Sequence, residues 1–331
     1  MSKLLAEISY PVMNHRTGWP WNASQPVPSQ LRDASASPRI TVVTPSYNQA
    51  GTLEETIRSV VLQNYPNLEY LVIDGGSTDG SVEIIRKYEQ LITYWVSEPD
   101  RGQSHAINKG WQRATGELIT WLNSDDYLAE GVLGRVANVY CQQMGRPTSF
   151  IYARANIINN KYEILRKIGE PFDLSFCLKN LIDQFPQPSV FLTKSSFDQV
   201  GLVDEEMHYA MDFDLFLRAA LLVPPVFVDE IWSYVRFYPD TKTSRNPLGF
   251  VCDHFRLLEK LQSQPRFAEK VNQYLKSAYA SNYLRSARLR YGAGQKRAAL
   301  QDLSAALQKD ALFTMQKTVK IFFKGRYMEL K

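Results

Sequence analysis

The sequence predicts an α/β protein with a doubly wound, mostly parallel sheet and a helical C-terminal extension. Short apolar segments alternate with segments of helical spacing between residues 39 and 126, which is typical of consecutive β–α–β units. After about residue 240 the spacing of apolar residues is helical throughout. Residues 1–38 are rich in Pro, Ser, Trp and Asn and show neither period, so we expect an irregular arm there.

Each predicted element rests on its own pattern. RITVVT is rich in β-branched residues and predicts a buried strand, whereas the apolar residues of TLEETIRSVVLQN recur at helical spacing. The predicted strands are 39–44, 68–74, 92–98 and 117–123. The predicted helices are 52–64, 82–90, 103–114, about 131–143, 249–262, 267–290 and 293–308.

The composition excludes several classes of protein. With 44% hydrophobic and 22% charged residues, disorder is not expected to be the main state. The three cysteines form no CxxC pair, so neither a zinc site nor a disulfide framework is predicted, and a reducing compartment is expected. We find no signal peptide and no apolar run long enough to span a bilayer, which predicts a cytoplasmic location.

The charge is distributed unevenly along the chain. Residues 241–331 carry 18 basic and 6 acidic side chains, a balance of +12, whereas residues 1–240 carry 20 and 28, a balance of −8. An anionic partner and a solvated helical face both account for this basic region. Residues 311–328 interleave aromatic and basic side chains, which fits either a membrane interface or packing on the enzyme or on a second subunit.

Polar loops follow the four predicted strands, beginning at Pro45, Asp74, Glu98 and Asn123. Ligands of open α/β sheets bind beyond the carboxyl ends of the strands, so we expect a binding site formed by these loops. Glycines after Asp74 let the backbone approach a ligand, and its carboxylate can accept from a base N–H or a ribose hydroxyl. The chain has neither GxGxxG after the first strand nor a P-loop, which excludes those two phosphate sites.

Two adjacent carboxylates, Asp125 and Asp126, follow the fourth strand. Their mutual repulsion is relieved by a hard divalent cation such as Mg²⁺ or Mn²⁺, which one or two carboxylates and diphosphate oxygens can hold together. The alternative is that one of them caps the helix predicted at about 131–143, because Asp is a preferred N-cap residue. The spacing leaves both interpretations open.

Four motifs occur in order, namely TPSYNQ (44–49), VIDGGSTDGS (72–81), SEPDRGQSHAINKG (97–110) and WLNSDD (121–126). Together they resemble glycosyltransferase family 2, whose inverting enzymes have the GT-A fold. The resemblance covers residues 39–240, and GLVDEEMHYAMDFDLFLRA (201–219) resembles the acceptor-side segment of the family. It implies a nucleotide half at about 39–126 and an acceptor half at about 127–240, followed by a basic helical extension over 241–331.

The resemblance also implies roles for individual residues. Asp212 matches the general base, Asp125 matches the metal ligand of a DxD-type motif, and Asp126 is its neighbour or substitute. The positions that match donor-binding residues are Pro45, Tyr47, Asn48, Asp74, Asp100, Arg101, Gln103, Asn123 and Ser124.

Some positions depart from the pattern of the family. Asn123 stands at the first acidic position of the DxD motif, and Met211 stands where a Glu precedes the base. His105 replaces a frequent Asp, and Tyr238 occupies the region where many relatives have a His after an Arg. The four histidines show no metal-ligand spacing, so we expect structural or surface roles for them, with His208 the first to test because it lies near Asp212.

The implied activity is transfer of a sugar, with inversion, from a nucleotide-diphosphate sugar to an acceptor hydroxyl, assisted by Mn²⁺ or Mg²⁺. The implied acceptor is a saccharide or lipid-linked saccharide of surface polysaccharide biosynthesis, met in the cytoplasm or at the inner face of the membrane. No nucleic-acid partner is expected. The alternatives are an inactive nucleotide-sugar binding protein and a nucleotidyltransferase, although the latter usually has a basic first loop and residues 44–51 lack Lys and Arg.

Overall fold

The computed structural model describes residues 18–21, 37–238 and 246–318, which form two compact units. The helix that begins at Met211 belongs to the same unit as the C-terminal helices, so the division by packing differs from the predicted boundary at residue 240. The first unit comprises described residues within Met1–Glu170, Phe185–Val203 and Val223–Phe237, and the second those within Pro171–Gln184, Asp204–Leu222 and Tyr238–Lys331.

The first unit contains the nine strands found among the described residues, joined in one sheet of order β3-β2-β1-β4-β8-β6-β9-β5, with β7 paired to β6. The bounds are β1 Ile40–Ser46, β2 Leu68–Asp74, β3 Tyr94–Ser97, β4 Leu118–Trp121, β5 Tyr127–Leu128, β6 Phe150–Ile158, β7 Ile164–Ile168, β8 Val190–Thr193 and β9 Val226–Arg236. Strands β1 to β4 pair in parallel, and the pairs of β8, β7 and β5 are antiparallel. The predicted doubly wound, mostly parallel sheet is confirmed.

Helices connect the parallel strands, as the alternation of periods predicts. All seven residues of β1 are buried, because a parallel strand covered on both faces can be apolar along its whole length. In the first helix Leu53, Ile57 and Val60 are fully buried against the sheet. The helices of this unit are α1 Leu53–Val61, α2 Ser81–Lys87, α3 Gln103–Trp111, α4 Val132–Gln142 and α6 Lys194–Val200.

The second unit is helical. Its 28-residue helix packs against four others and buries Phe267, Val271 and Leu275 among them. The bounds are α5 Leu174–Asn180, α7 Met211–Leu222, α8 Pro247–Ser263, α9 Pro265–Gly292 and α10 Lys296–Lys309, followed by helical residues 311–318. In the part of the chain that the structure describes, no helix combines the length and hydrophobicity of a membrane span.

Only part of the two terminal predictions falls within the described residues. Of the arm, Gly18–Trp21 lies on the first unit, where Trp19 Nε1 donates to the Leu128 carbonyl at 2.7 Å. The buried Arg58 donates to the Pro20 carbonyl and lies 5.0 Å from the centre of the Trp21 ring. The rest of the arm before residue 37 and the tail beyond residue 318 lie outside the described residues.

Candidate active site

The four polar loops of the first unit lie at one edge of the sheet. Strands β3, β2, β1 and β4 are parallel neighbours, and the residue pairs Ser46–Asp74 and Asp74–Ser97 are in register at their carboxyl ends. On the other side of β1, Val43 is paired with Trp121, two residues before Asn123. Register alone therefore brings the loops after these strands together, as the sequence predicts.

Hydrogen bonds tie the first loop to the second. Asn48 has the left-handed φ of 51°, its backbone N–H donates to Ser77 Oγ at 2.8 Å, and its Oδ1 accepts from the Thr78 N–H at 2.9 Å. The Ala50 N–H donates to Asp79 Oδ2 at 2.9 Å. Asp79 also accepts from the N–H of Ser81, the first residue of α2, whose N-cap is Gly80.

Asp74 is fully buried, and its carboxylate organises the second loop from within. It accepts from the N–H groups of Gly76 and Ser77, from Ser77 Oγ and from Ser97 Oγ, at distances between 2.5 and 3.1 Å. A buried carboxylate must be compensated in this way, and four donors compensate this one. The groups that donate to Asp74 in this structure lie at the carboxyl ends of β2 and β3. Contact of Asp74 with a nucleotide base therefore remains a prediction.

Tyr47 and Asp100 meet above Gly75. A Cβ built on Gly75 would lie 2.7 Å from Asp100 Oδ2 and 3.3 Å from Tyr47 Cδ2, so only glycine leaves room for both side chains. The Tyr47 ring is 61% exposed, as a side chain that offers a face to a ligand must be. Pro45 lies inside β1, in register with Ile73. It therefore belongs to the strand and not to the loop that the sequence predicts to begin there.

The third loop is joined to the fourth through amides. Gln103 Nε2 donates to Asn123 Oδ1 at 2.8 Å, and Asn123 Nδ2 donates to Gln187 Oε1 at 3.1 Å and to Asp126 Oδ2 at 3.3 Å. Asn123 thus links three segments with a neutral side chain at the position where the DxD motif has an acid. Arg101 is exposed, and its backbone N–H donates to His105 Nδ1.

Gln187, in the segment QFPQPSVF (184–191), is not among the predicted site residues. Its Nε2 donates to the Trp121 carbonyl at 2.7 Å, and its side chain is largely buried at the end of β4. A lone Gln after a proline carries no sequence signal for such a contact, because the partner is 66 residues away.

In the acidic pair Asp126 is buried and Asp125 is partly buried. Burial raises the pKa of Asp125, and burial together with the neighbouring Asp125 charge raises that of Asp126 well above its usual range. Helix α4 has Gly131 as its N-cap, so neither carboxylate caps it, and the capping alternative is not supported.

These two carboxylates fit a divalent cation. Within residues 18–21, 37–238 and 246–318 no group of three His, Cys, Asp or Glu side chains could enclose a metal ion. A cation held by only one or two carboxylates takes its remaining ligands from diphosphate oxygens and water, which is usual for Mg²⁺. The raised pKa of both Asp side chains expresses the electrostatic penalty that such a cation relieves.

Asp212 lies in the first turn of α7 in the second unit, with its side chain partly exposed. The next acid on this helix, Asp214, is fully buried and accepts from Arg218 Nε, Arg218 Nη2 and Lys260 Nζ at 2.7–3.0 Å. Because Asp214 is committed to this ion cluster, Asp212 is the accessible carboxylate of the two. Asp253 of α8 accepts from the N–H groups of Tyr209 and Ala210 just before the helix.

The histidines that the structure describes have structural or surface positions. His254 is buried, its Nδ1 accepts from Arg285 Nη1 at 2.8 Å, and burial with the Arg285 charge lowers its pKa to about 3. His105 accepts from the Arg101 backbone, and His208 is exposed. His15 lies outside the described residues.

Comparison with known proteins places the chain in a family. The family described as "Glycosyl transferase family 2" matches residues 41–204. An uncharacterized glycosyltransferase of Mycobacterium tuberculosis is 31% identical over 208 residues, which are 59% of this chain and 73% of that protein. A putative teichuronic acid biosynthesis glycosyltransferase of Bacillus subtilis, TuaG, is 38% identical over 92 residues, which are 27% of this chain and 36% of TuaG.

Solved structures show the same fold. Staphylococcus aureus TarS 1–349 in complex with UDP-GlcNAc superposes with a TM-score of 0.63 at 17% identity, over 82% of this chain and 81% of that one. The mannosyltransferase PcManGT of Pyrobaculum calidifontis, in complex with GDP-Man and Mn²⁺, superposes with a TM-score of 0.58 at 18% identity, over 89% of this chain and 84% of that one. The predicted GT-A fold is thereby confirmed.

Proposed function

Because this chain belongs to glycosyltransferase family 2, we propose that it transfers a sugar, with inversion, from a nucleotide-diphosphate sugar to an acceptor hydroxyl. The observation that carries this proposal is the set of four loops cross-linked by polar side chains at one edge of the sheet. The UDP-GlcNAc and GDP-Man bound to the structural neighbours support the donor class, and TuaG supports a role in polysaccharide or glycoconjugate biosynthesis.

In this proposal the loops bind the donor in order along the sheet edge. Pro45, Tyr47 and Asn48 line the nucleotide, and Asp74 recognises the base or holds the loop that does. Asp100, Arg101 and Gln103 follow beside it, and Asn123 and Ser124 approach the sugar-bearing end. The exposed ring of Tyr47 above Gly75 supports stacking on a flat base.

Asp125 and Asp126 would hold a divalent metal ion, Mn²⁺ or Mg²⁺. When bound, this ion would neutralise the diphosphate and stabilise it as a leaving group. The Mn²⁺ in the PcManGT structure supports this choice, as do the raised pKa values of the two aspartates.

Asp212 is the proposed general base. Its carboxylate accepts the proton of the acceptor hydroxyl, and the acceptor oxygen attacks the anomeric carbon on the face opposite the diphosphate. One displacement inverts the anomeric centre without a covalent intermediate on a carboxylate. The commitment of Asp214 to Arg218 and Lys260 supports Asp212 as the base.

The proposed acceptor is a saccharide or lipid-linked saccharide, reached from the cytoplasm or from the inner face of the membrane. The nucleotidyltransferase alternative is not favoured, since residues 44–51 carry no basic side chain to hold a triphosphate. The inactive alternative is opposed by the retention of Asp125, Asp126 and Asp212.

A panel of UDP- and GDP-sugars tests the proposal. Thermal unfolding of the full chain should shift upward with one nucleotide class, since a ligand at 100 times its Kd stabilises by about 2.7 kcal/mol. The matching donor should release nucleoside diphosphate with Mn²⁺ or Mg²⁺ and should stop doing so in EDTA. Full release in EDTA contradicts the metal assignment, and the absence of a shift and of release across the panel contradicts the donor class.

A further inference from the structure

The acidic loop is held through its backbone by three side chains. Thr52 Oγ1 donates to the Ser124 carbonyl at 2.8 Å, and Thr56 Oγ1 donates to the Asp126 carbonyl at 2.7 Å. The carbonyl between them, that of Asp125, accepts from Arg236 Nη1 at 2.6 Å. Side chains of residues 52, 56 and 236 therefore engage three consecutive carbonyls of this loop.

Arg236 is a buried cation whose charge acts on both aspartates and opposes the rise of their pKa. Its backbone N–H donates to Asp126 Oδ1 at 3.0 Å, and its guanidinium lies 5.3 Å from the centre of the Tyr127 ring. A guanidinium in that place would be expected to turn toward the aspartates and neutralise them, because an opposite charge stabilises a buried carboxylate.

A third acid, Glu55, is an ion-pair partner of Arg236. Arg236 Nη2 donates to Glu55 Oε2, and the two side chains are only 5% and 4% exposed. Tyr162 Oη donates to the same Glu55 oxygen at 3.0 Å, and the guanidinium lies 5.5 Å from the Tyr162 ring centre. Thr52 is the N-cap of α1, and Glu55 and Thr56 lie in its first turn, so the beginning of one helix supplies two of the backbone contacts and the counter-ion.

The four charged side chains of this group, when ionised, carry a net negative charge. Glu55, Asp125 and Asp126 contribute three negative charges when ionised and Arg236 contributes one positive charge, so the group carries −2, the complement of a divalent cation. Without the Glu55 charge the sum falls to −1.

We propose that Glu55 is a positioning residue that holds Arg236 as its own ion-pair partner and so keeps the charge of Asp125 and Asp126 for a divalent cation. This inference rests on the proposed metal-assisted transfer. It adds Glu55 as a residue that acts on the metal site through Arg236. Tyr162 fixes the Glu55 carboxylate in the orientation that the ion pair uses.

The test compares Mn²⁺ binding by full-length variants, measured as the loss of the free-Mn²⁺ electron paramagnetic resonance signal, with UDP or GDP present. Glu55→Gln keeps the shape of the side chain and removes its charge. Glu54→Gln is the matched control, since it makes the same change one residue away, where the partner is Lys87. The double variant Glu55→Gln/Arg236→Gln restores the sum of −2 and removes the Arg236 charge together with that of its Glu55 partner.

Glu55→Gln is expected to weaken Mn²⁺ binding about tenfold or more, as an opposite charge at this range shifts ion affinity by one or more powers of ten. Glu54→Gln should bind like the wild type, and the double variant should return toward the wild-type Kd even if Glu55→Gln folds poorly. Equal binding by the two single variants, or a double variant with no recovery, overturns the inference. Failure of the wild type to bind Mn²⁺ with either nucleotide overturns the metal assignment as well, whereas the donor panel tests sugar transfer separately.

Discussion

At the scale of single residues, the two acids of α7 illustrate how environment separates chemically identical side chains. Asp214 is fully buried with Arg218 and Lys260, and Asp212, two residues earlier, is partly exposed. The first is suited to hold α7 against α8, and the second accepts a hydrogen bond from the Phe213 N–H at 2.9 Å. This difference supports Asp212, and not Asp214, as the proposed general base.

Asp212→Asn is expected to lower kcat by roughly 10²–10⁴-fold, the usual contribution of a general base, because the amide cannot take the acceptor proton. Nucleoside diphosphate binding should stay near the wild-type Kd, since the base acts on the acceptor. Steady-state transfer and calorimetric titration measure the two quantities. Asp214→Asn is the control and should lower the thermal midpoint, because it leaves Arg218 and Lys260 without their buried partner. Wild-type turnover in Asp212→Asn would move the base elsewhere.

At the scale of elements, His254 of α8 joins three other helical segments. It accepts from Arg285 of α9, the same guanidinium donates to the Leu181 carbonyl at the end of α5 at 2.9 Å, and the His254 ring packs edge-on against Phe213 of α7. Burial and the Arg285 charge hold its pKa at about 3, against 6.5 for an ordinary histidine. The junction thus requires a neutral imidazole.

The lowered pKa of His254 predicts that the folded protein loses stability in acid. The unfolded chain takes up a proton at His254 below about pH 6.5 and the folded chain does not, so stability is complete above that pH and falls as pH decreases toward 3. Between pH 7 and pH 5 this group should cost about 2 kcal/mol of unfolding free energy. Urea unfolding should show a shallower loss in His254→Gln over this range, with the exposed His208→Gln as the control. Equal slopes in all three proteins would refute the assignment.

The elements also show what the sequence could predict and what it could not. The periods of apolar residues located every helix and strand between residues 39 and 126 to within a few residues, because burial on a parallel sheet imposes those periods. Contacts such as Asn123 with Gln187 and Glu55 with Arg236 join residues 64 and 181 positions apart, and periodicity carries no signal for them.

At the scale of the whole molecule, charge and packing divide the chain differently. The basic balance begins near residue 241, whereas the helical unit that contains those residues also includes Asp212 and Asp214. The C-terminal helices are therefore part of the support of the proposed base, through Asp253 and Lys260 of α8. The described part of the predicted extension therefore belongs to the same compact unit as α7, the helix that carries the proposed base.

The last prediction concerns the tail, for which a membrane and a protein interface were both considered. Residues 311–318 begin it with Leu312 and Met315 exposed, while Thr314 is buried and Lys317 donates to Asn180. A chain that ends at Thr318 keeps these contacts and removes residues 319–331, which include Lys320, Lys324 and Arg326. If the tail binds anionic lipid, the full chain should sediment with anionic vesicles at low salt and be released by added salt, since each basic residue near the surface contributes about 1 kcal/mol.

The chain ending at Thr318 should stay in the supernatant in that experiment, and neutral vesicles should retain neither protein. If the full chain also stays in the supernatant with anionic vesicles, the membrane interpretation is wrong. Sedimentation equilibrium of the two chains then tests the remaining one: a second subunit bound through the tail gives a larger mass for the full chain alone, and equal masses leave the tail packed on its own enzyme. Attachment to anionic lipid through charge is sensitive to salt. Association with a second subunit is sensitive to protein concentration, whereas packing of the tail on its own enzyme is not.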